Sequence, residues 1–164
     1  MPRYNRKKAI AMRNQPLKFS LRQAFASDYD FIWQLRIVTM KEVISSAYGW
    51  DEATQRSYAA ESLNGKIILV ENSRVGVITI SDWGNQLHLT FLALLPQYQN
   101  RGLGSRLIGY AQHQAKINNK PLTLQVLKTN STKLFYEKHG FKVCDRNGAA
   151  KLLMQWQPDN YPGK

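Results

Sequence analysis

The stretch Leu92-Ala93-Leu94-Leu95-Pro96-Gln97-Tyr98-Gln99-Asn100-Arg101-Gly102-Leu103-Gly104-Ser105 joins an apolar, strand-forming run to the start of a helix through a proline and a short polar loop. Beyond it Leu103, Leu107, Ile108, Ala111 and Ala115 recur at helical spacing, so the glycines open an amphipathic helix over residues 102–118. The unpaired N–H groups of such a first turn point at the loop together with the positive end of the helix dipole. Gly102 and Gly104 let an anion such as a pyrophosphate approach without a Cβ in the way. Two phosphate motifs are excluded by residue. A P-loop wants Lys-Ser/Thr after its last glycine, where Gly109 is followed by Tyr110-Ala111, and the dinucleotide fingerprint wants glycine where Leu107 stands. Neither kinase-type nor NAD chemistry is supported. Taken alone, Gln99-x-x-Gly102-x-Gly104 reads equally well as a tight strand-to-helix turn.

Working outward, residues 18–25 alternate as a first strand, and Ser27 with Asp30 has the spacing of a capping box ahead of the apolar positions Phe31, Ile32 and Leu35. A helix from near residue 28 breaks at Tyr48-Gly49-Trp50, and Asp51-Glu52 start a second that ends near Asn64-Gly65. The period then changes to two, giving strands over 67–71, 75–81 and 86–95. After the glycine-led helix come a strand over 122–127, a short helix over 132–139 and a final hairpin of 141–145 with 151–157. The predicted order is β-α-α-β-β-β-α-β-α-β-β. This is an α/β (α+β) fold with a central mixed, mostly antiparallel sheet of six to seven strands flanked by about four helices.

The chain of 164 residues is short enough for one domain, and 43% apolar, 11% aromatic and 21% charged residues suit a folded core. Its 23 Lys and Arg exceed its 11 Asp and Glu, for a net charge of +12. Half of that surplus lies in residues 1–18, where Arg3, Arg6, Lys7, Lys8, Arg13 and Lys18 stand with no acid. The organisation read from this is a basic tail over 1–16, one domain over 17–157 and a C-terminal tail over 158–164. Cys144 stands alone, which excludes an internal disulfide and a Cys-pair zinc site, and no metal is expected. No apolar run approaches membrane-spanning length and no signal-peptide pattern opens the chain, so a cytoplasmic location is expected.

The run from Leu92 to Ile108 resembles the acetyl-CoA-binding motif of the Gcn5-related N-acetyltransferases (GNAT superfamily). There a strand of the L-A-V type, here Leu92-Ala93-Leu94, leads through Pro96 and Tyr98 into a Q/R-x-x-G-x-G/A turn, here Gln99-Asn100-Arg101-Gly102-Leu103-Gly104. A second stretch, Asn130 to Phe141 (NSTKLFYEKHGF), is similar to the family's N-x-x-A-x-x-[FL]-Y-x-x-x-G-F signature, with Lys133 where alanine is commonest and Tyr136, Gly140 and Phe141 in register. The resemblance covers residues 17–157 and implies the GNAT acyl-CoA N-acyltransferase fold, with acetyl-CoA as acetyl donor.

The same resemblance implies roles for individual residues. The pantetheine arm lies along Leu92, Ala93 and Leu94 like an added strand, with an N–H near Leu94 polarising the thioester. The turn from Gln99 to Ser105 (Gln99, Asn100, Arg101, Gly102, Leu103, Gly104, Ser105) holds the pyrophosphate, with Arg101 and Arg106 adding charge, and Asn130 and Lys133 flank the cofactor arm. Tyr136 matches the tyrosine that protonates the leaving thiolate. His88 is the candidate base: by period two it shares a face with Thr90, Leu92 and Leu94, and an imidazole can take a proton from an incoming ammonium. Tyr48, Trp50, Asp51 and Trp83 are acceptor-site candidates by position.

The activity implied is transfer of acetyl from acetyl-CoA to a primary amine of a small molecule or peptide, by direct attack in a ternary complex. The alternative is a catalytically weak acyl-CoA sensor, or a nucleic-acid- or ribosome-associated protein working through the basic segment 1–18. Partners implied are acetyl-CoA and an amine acceptor, with no membrane and with a homodimer left open.

Overall fold

The computed structural model describes residues 15–129, 131–145, 148 and 150–162. They form β1 (Ser20–Gln23), α1 (Tyr29–Tyr48), α2 (Glu52–Glu61), β2 (Lys66–Val70), β3 (Ser73–Asp82) and β4 (Leu87–Leu94). There follow α3 (Leu103–Ile117), β5 (Leu122–Leu127), α4 (Thr132–Lys138), β6 (Lys142–Asp145) and β7 (Lys151–Trp156). One seven-stranded sheet runs in the order β1-β2-β3-β4-β5-β7-β6, parallel at β4–β5 and antiparallel at the other pairs. The predicted order and mixed sheet are both present.

The two faces of the sheet carry separate cores. On one, α3 sets Leu107, Ile108, Ala111 and Ala115 against Leu87, Leu89, Leu94, Leu122 and Leu124. On the other, Ile32, Trp33 and Leu35 of α1 with Ala59 of α2 cover Ile67, Val77, Phe91 and Ala93. Each large aliphatic side chain buried this way contributes about 2 kcal/mol. The β2–β3 turn is tight because Glu71 and Asn72 both take positive φ, 49° and 64°, the conformation a two-residue hairpin demands.

Two expectations are corrected. The Ser27/Asp30 capping box is not formed. Instead the Phe25 N–H donates to Asp28 Oδ2 at 2.8 Å while the Asp28 N–H donates to the Phe25 carbonyl at 2.8 Å, closing a short 3-10 turn before α1. Asp28 prevails because its carboxylate is buried and also holds Arg22 at 2.7 Å and Arg74 at 3.2 Å.

The second correction concerns β4. His88, Thr90, Leu92 and Leu94 do not share a face. The β3–β4 register steps from Ile80↔Leu89 to Thr79↔Phe91, leaving Thr90 as an extra residue. A bulge of this kind flips every later side chain. Leu87 and Leu89 therefore face α3, Phe91 and Ala93 face α1, and Leu94 returns to the α3 side.

Candidate active site

β4 and β5 pair only through Leu87↔Leu122, His88↔Thr123 and Leu89↔Leu124, although β4 continues to Leu94 and β5 to Leu127. Past the bulge the two strands part. The Leu95 N–H donates to the Val75 carbonyl, so by strand alternation the peptide groups of Leu92 and Leu94 point the other way, into the gap. Gln99 Nε2 reaches back to the Leu94 carbonyl at 2.9 Å, leaving the Leu94 N–H and both peptide groups of Leu92 facing space where a strand partner would lie. Ala93 points its methyl into the α1 core.

The gap leads to the glycine turn. After the 3-10 turn Pro96–Tyr98, Asn100 takes φ 55° and Gly102 φ 77°, and α3 begins at Leu103. The N–H groups of Leu103, Gly104 and Ser105 have no carbonyl one turn back, so they point out of the helix end toward the loop. The glycines serve different ends. Gly102 needs its left-handed backbone and faces open space, whereas Gly104 lies under the Phe135 ring of α4, where a Cβ would stand at 3.4 Å. The Leu103 side chain is buried in the core and offers its backbone alone. Arg101 lies 6.0 Å from the Tyr98 ring beside the turn. Arg106 is turned elsewhere: its guanidinium bonds the Leu17 carbonyl and covers the Phe19 ring at 4.7 Å. Lys133 pairs with Glu137 at 2.8 Å. Asn130 lies outside the described residues.

Tyr136 and His88 sit on opposite faces of the sheet. Tyr136, on α4, packs edge-on against Phe135 at 5.2 Å and Phe141 at 5.8 Å on the α3 side. Among the described residues its hydroxyl has no hydrogen-bond partner, and burial pushes its pKa up to about 12, so it holds its proton throughout the working range. His88 is buried, its Nδ1 is 2.8 Å from Thr123 Oγ1, and Trp83 stacks on its ring at 4.0 Å and 12°. Burial brings its pKa down to about 4, so the imidazole is neutral at pH 7. Thr123 also accepts from Gln86 Nε2 at 3.2 Å, and Ser81 and Thr90 share a hydrogen bond at 2.9 Å on the same face.

Of the acceptor candidates, Tyr48, Trp50 and Asp51 come together with Gly49, Thr54 and Gln55 around a cleft of about 440 Å³ at the α1–α2 junction. Trp50 packs 6.0 Å from Trp33, and Asp51 caps α2 by accepting from the Thr54 N–H at 2.9 Å. Trp83 does not join them; it belongs with His88. Sequence reasoning missed Thr123, which only strand pairing brings to His88. It also missed Arg36, whose mid-helix position resembles that of any solvent-facing arginine.

A family model described as an acetyltransferase (GNAT) domain matches residues 59–143, more than half of the chain. The chain belongs to the GNAT family. Among curated proteins, this GNAT chain is 29% identical over 102 residues to an uncharacterized N-acetyltransferase of Staphylococcus aureus, covering 62% of the chain and 66% of that relative. It is 29% identical over 97 residues to the [ribosomal protein bS18]-alanine N-acetyltransferase of Haemophilus influenzae, covering 58% of the chain and 66% of that relative. The matches thus span just under two thirds of those relatives' length. Among solved structures, the PaiA N-acetyltransferase of Thermoplasma acidophilum in complex with coenzyme A superposes with a TM-score of 0.70 at 19% identity, over 87% of this chain and 100% of that one. That likeness confirms the GNAT fold.

Proposed function

We propose that this GNAT protein transfers acetyl from acetyl-CoA to a primary amine by direct attack in a ternary complex. The observation that carries the reading is the parting of β4 from β5 beside the glycine turn. It leaves the Leu94 N–H and both peptide groups of Leu92 free at one end of a path whose other end is a helix N-terminus suited to a pyrophosphate. Acetyl-CoA, when bound, supplies an activated acetyl thioester. The coenzyme A in the Thermoplasma structure and the acetyltransferase names of the curated relatives support the same donor.

The chain's own groups then divide the work. The Leu94 N–H is placed to polarise a carbonyl lying in the gap, because a backbone dipole held by the sheet needs no reorganisation to do so. The Tyr136 phenol, kept protonated by burial, is the candidate donor to the leaving thiolate. His88 is the candidate acceptor of the amine proton. It is already neutral, but its depressed basicity and its contact with Thr123 suit relay through a hydroxyl or water better than direct capture. Cys144, though exposed, is a poor nucleophile, since local desolvation and the neighbouring Asp145 carboxylate raise its pKa. No covalent enzyme intermediate is invoked.

The decisive experiment is a CoA-thiol release assay with acetyl-CoA against polyamines, aminoglycosides, amino acids and peptides with free N-termini or lysines. The relative acting on the alanine of ribosomal protein bS18 makes N-terminal peptides the first class to include. Release with one amine class, lost in Tyr136→Phe, supports the enzyme. Acetyl-CoA binding without release from any amine overturns it in favour of the sensor reading. The six cations of residues 1–18 support a nucleic-acid or ribosome contact, read as binding with a steep salt dependence that disappears on deletion of residues 1–16.

A further inference from the structure

Thr123 is buried on β5, directly beside His88 in the short stretch where β4 and β5 pair. An apolar β-branched residue would fill that place without the cost of burying a hydroxyl, so the hydroxyl is held there by what it bonds. Its Oγ1 has three polar neighbours: Gln86 Nε2 at 3.2 Å, the Leu87 carbonyl at 3.3 Å and His88 Nδ1 at 2.8 Å.

Counting donors assigns each contact. A hydroxyl has one hydrogen to give and two lone pairs with which to receive. The amide nitrogen of Gln86 only donates, so it takes one lone pair, and the Leu87 carbonyl only accepts, so it takes the hydrogen. The second lone pair is left for His88 Nδ1, which therefore carries the ring proton. The reverse assignment spends the Thr123 hydrogen on Nδ1 and leaves hydroxyl and carbonyl lone pairs facing each other at 3.3 Å.

A neutral imidazole has one proton, so protonation at Nδ1 leaves Nε2 with its lone pair. Among the described residues Nε2 has no hydrogen-bond partner, and Thr79 Oγ1 alone is a side-chain polar atom both enclosed and unbonded, so Nε2 keeps an edge open to solvent. Two contacts fix where that edge looks. Trp83, stacked at 4.0 Å and 12°, sets the plane of the ring, and Thr123 sets its rotation within the plane.

We infer that Thr123 is a positioning residue: it holds His88 as the Nδ1–H tautomer and so presents the bare Nε2 as the atom that takes up the amine proton. This rests on the acetyltransferase reading above, with His88 as its base. Substrate binding gains nothing from Thr123; its effect is confined to the protonation pattern of the ring and to the step that uses it.

The test is the nitrogen NMR spectrum of the full chain, labelled at its histidine ring nitrogens, at pH 7, where His88 is neutral. His88→Asn identifies the signals. Wild type should show a protonated Nδ1 and a bare Nε2. In Thr123→Val the ring, with no acceptor to hold it, should turn to a mixture of both tautomers, and Thr123→Ser should restore the wild-type pattern. With the amine of the CoA-release panel that turns over fastest, kcat should fall about 10-fold in Thr123→Val, with KM for acetyl-CoA unchanged, and recover in Thr123→Ser. A protonated Nε2 in wild type, a pattern that survives in Thr123→Val, or an unchanged kcat once the pattern is lost overturns the proposal. Failure of the acetyltransferase reading shows separately, as no CoA release from any amine, and the spectra then decide the tautomer by the same outcomes. Should Thr123→Val not fold, the wild-type spectrum and Thr123→Ala make the same discrimination.

Discussion

The imidazole of His88 and the hydroxyl of Thr123 meet at 2.8 Å, one rung before β4 and β5 part. The contact gives a buried histidine a neutral partner, and with Trp83 stacked outside it the ring is shielded from water. Among the described residues no acid is near enough to favour its cationic form, and desolvation sets the direction of its pKa.

The low pKa of His88 makes stability depend on pH. In the folded state His88 titrates near 4, against about 6.5 in an unfolded chain. Between those values the unfolded state binds more protons, so stability rises with pH across the window. Its contribution is complete above pH 6.5 and is lost as pH falls toward 4, by about 3 kcal/mol at most. Denaturant unfolding of wild type and His88→Asn at pH 4.5 and 7 checks this: the variant should lose much less stability on acidification.

If His88 takes the amine proton, the acid limb of its pH–rate profile should lie near 4, not near 6.5. A limb near 6.5 that persists in His88→Ala would assign the base elsewhere.

Tyr136→Phe removes only a hydroxyl from a ring that keeps its packing on Phe135 and Phe141. Turnover should fall by about 100-fold with acetyl-CoA affinity nearly unchanged, the size of a lost general acid. Because burial holds the phenol at about 12, the proton-donating form persists well above neutral pH, and wild type should show no alkaline limb from Tyr136 below pH of about 10. Equal activity in the variant would leave protonation of the thiolate to water.

Gly102→Ala and Gly104→Ala should act differently on one turn. At Gly102 the left-handed backbone resists a Cβ at a cost of about 1 kcal/mol, and the methyl would stand where an anion approaches, so acetyl-CoA affinity should fall while the fold persists. At Gly104, inside the helix with ordinary φ, the new methyl would only touch the Phe135 ring at 3.4 Å, so Tm should hold. Calorimetric titration with acetyl-CoA and thermal melts read the two.

Asp28→Asn leaves Arg22 and Arg74 converging on a neutral amide. The arginines hold the Asp28 carboxyl well below the usual carboxylate range. Its stabilisation is therefore complete above the unfolded carboxylate pKa, near 4, and fades only in stronger acid. Both arginines remain partly in water, so the expected loss in the variant is about 2 kcal/mol at pH 7, measured by denaturant unfolding.

Much of this protein is local and therefore legible in its chain. The apolar stripe from Leu103 to Ala115 buries as read, the Pro96–Ser105 turn delivers the helix N-terminus it promises, and the two motifs around Gly102 and Tyr136 identify the family before any coordinates. Each depends on residues within a turn or two of one another, where periodicity and backbone preference dominate.

Only the tertiary structure decided the rest. The period-two reading put His88 on the face of Leu92 and Leu94; the extra residue at Thr90 moved it to the face of Phe91, because a bulge answers to the partner strand and leaves no mark in the strand's own pattern. The gap past Leu89 exists because β4 meets β5 for three residues and then diverges, a property of two strands placed by different helices. Thr123 reaches His88 from 35 residues away, and the burial of Arg36 between Tyr58 and Phe91 requires α1, α2 and β4 to be assembled first. Chain-local preferences select elements, whereas desolvation, register and charge compensation are settled only when distant elements share a surface.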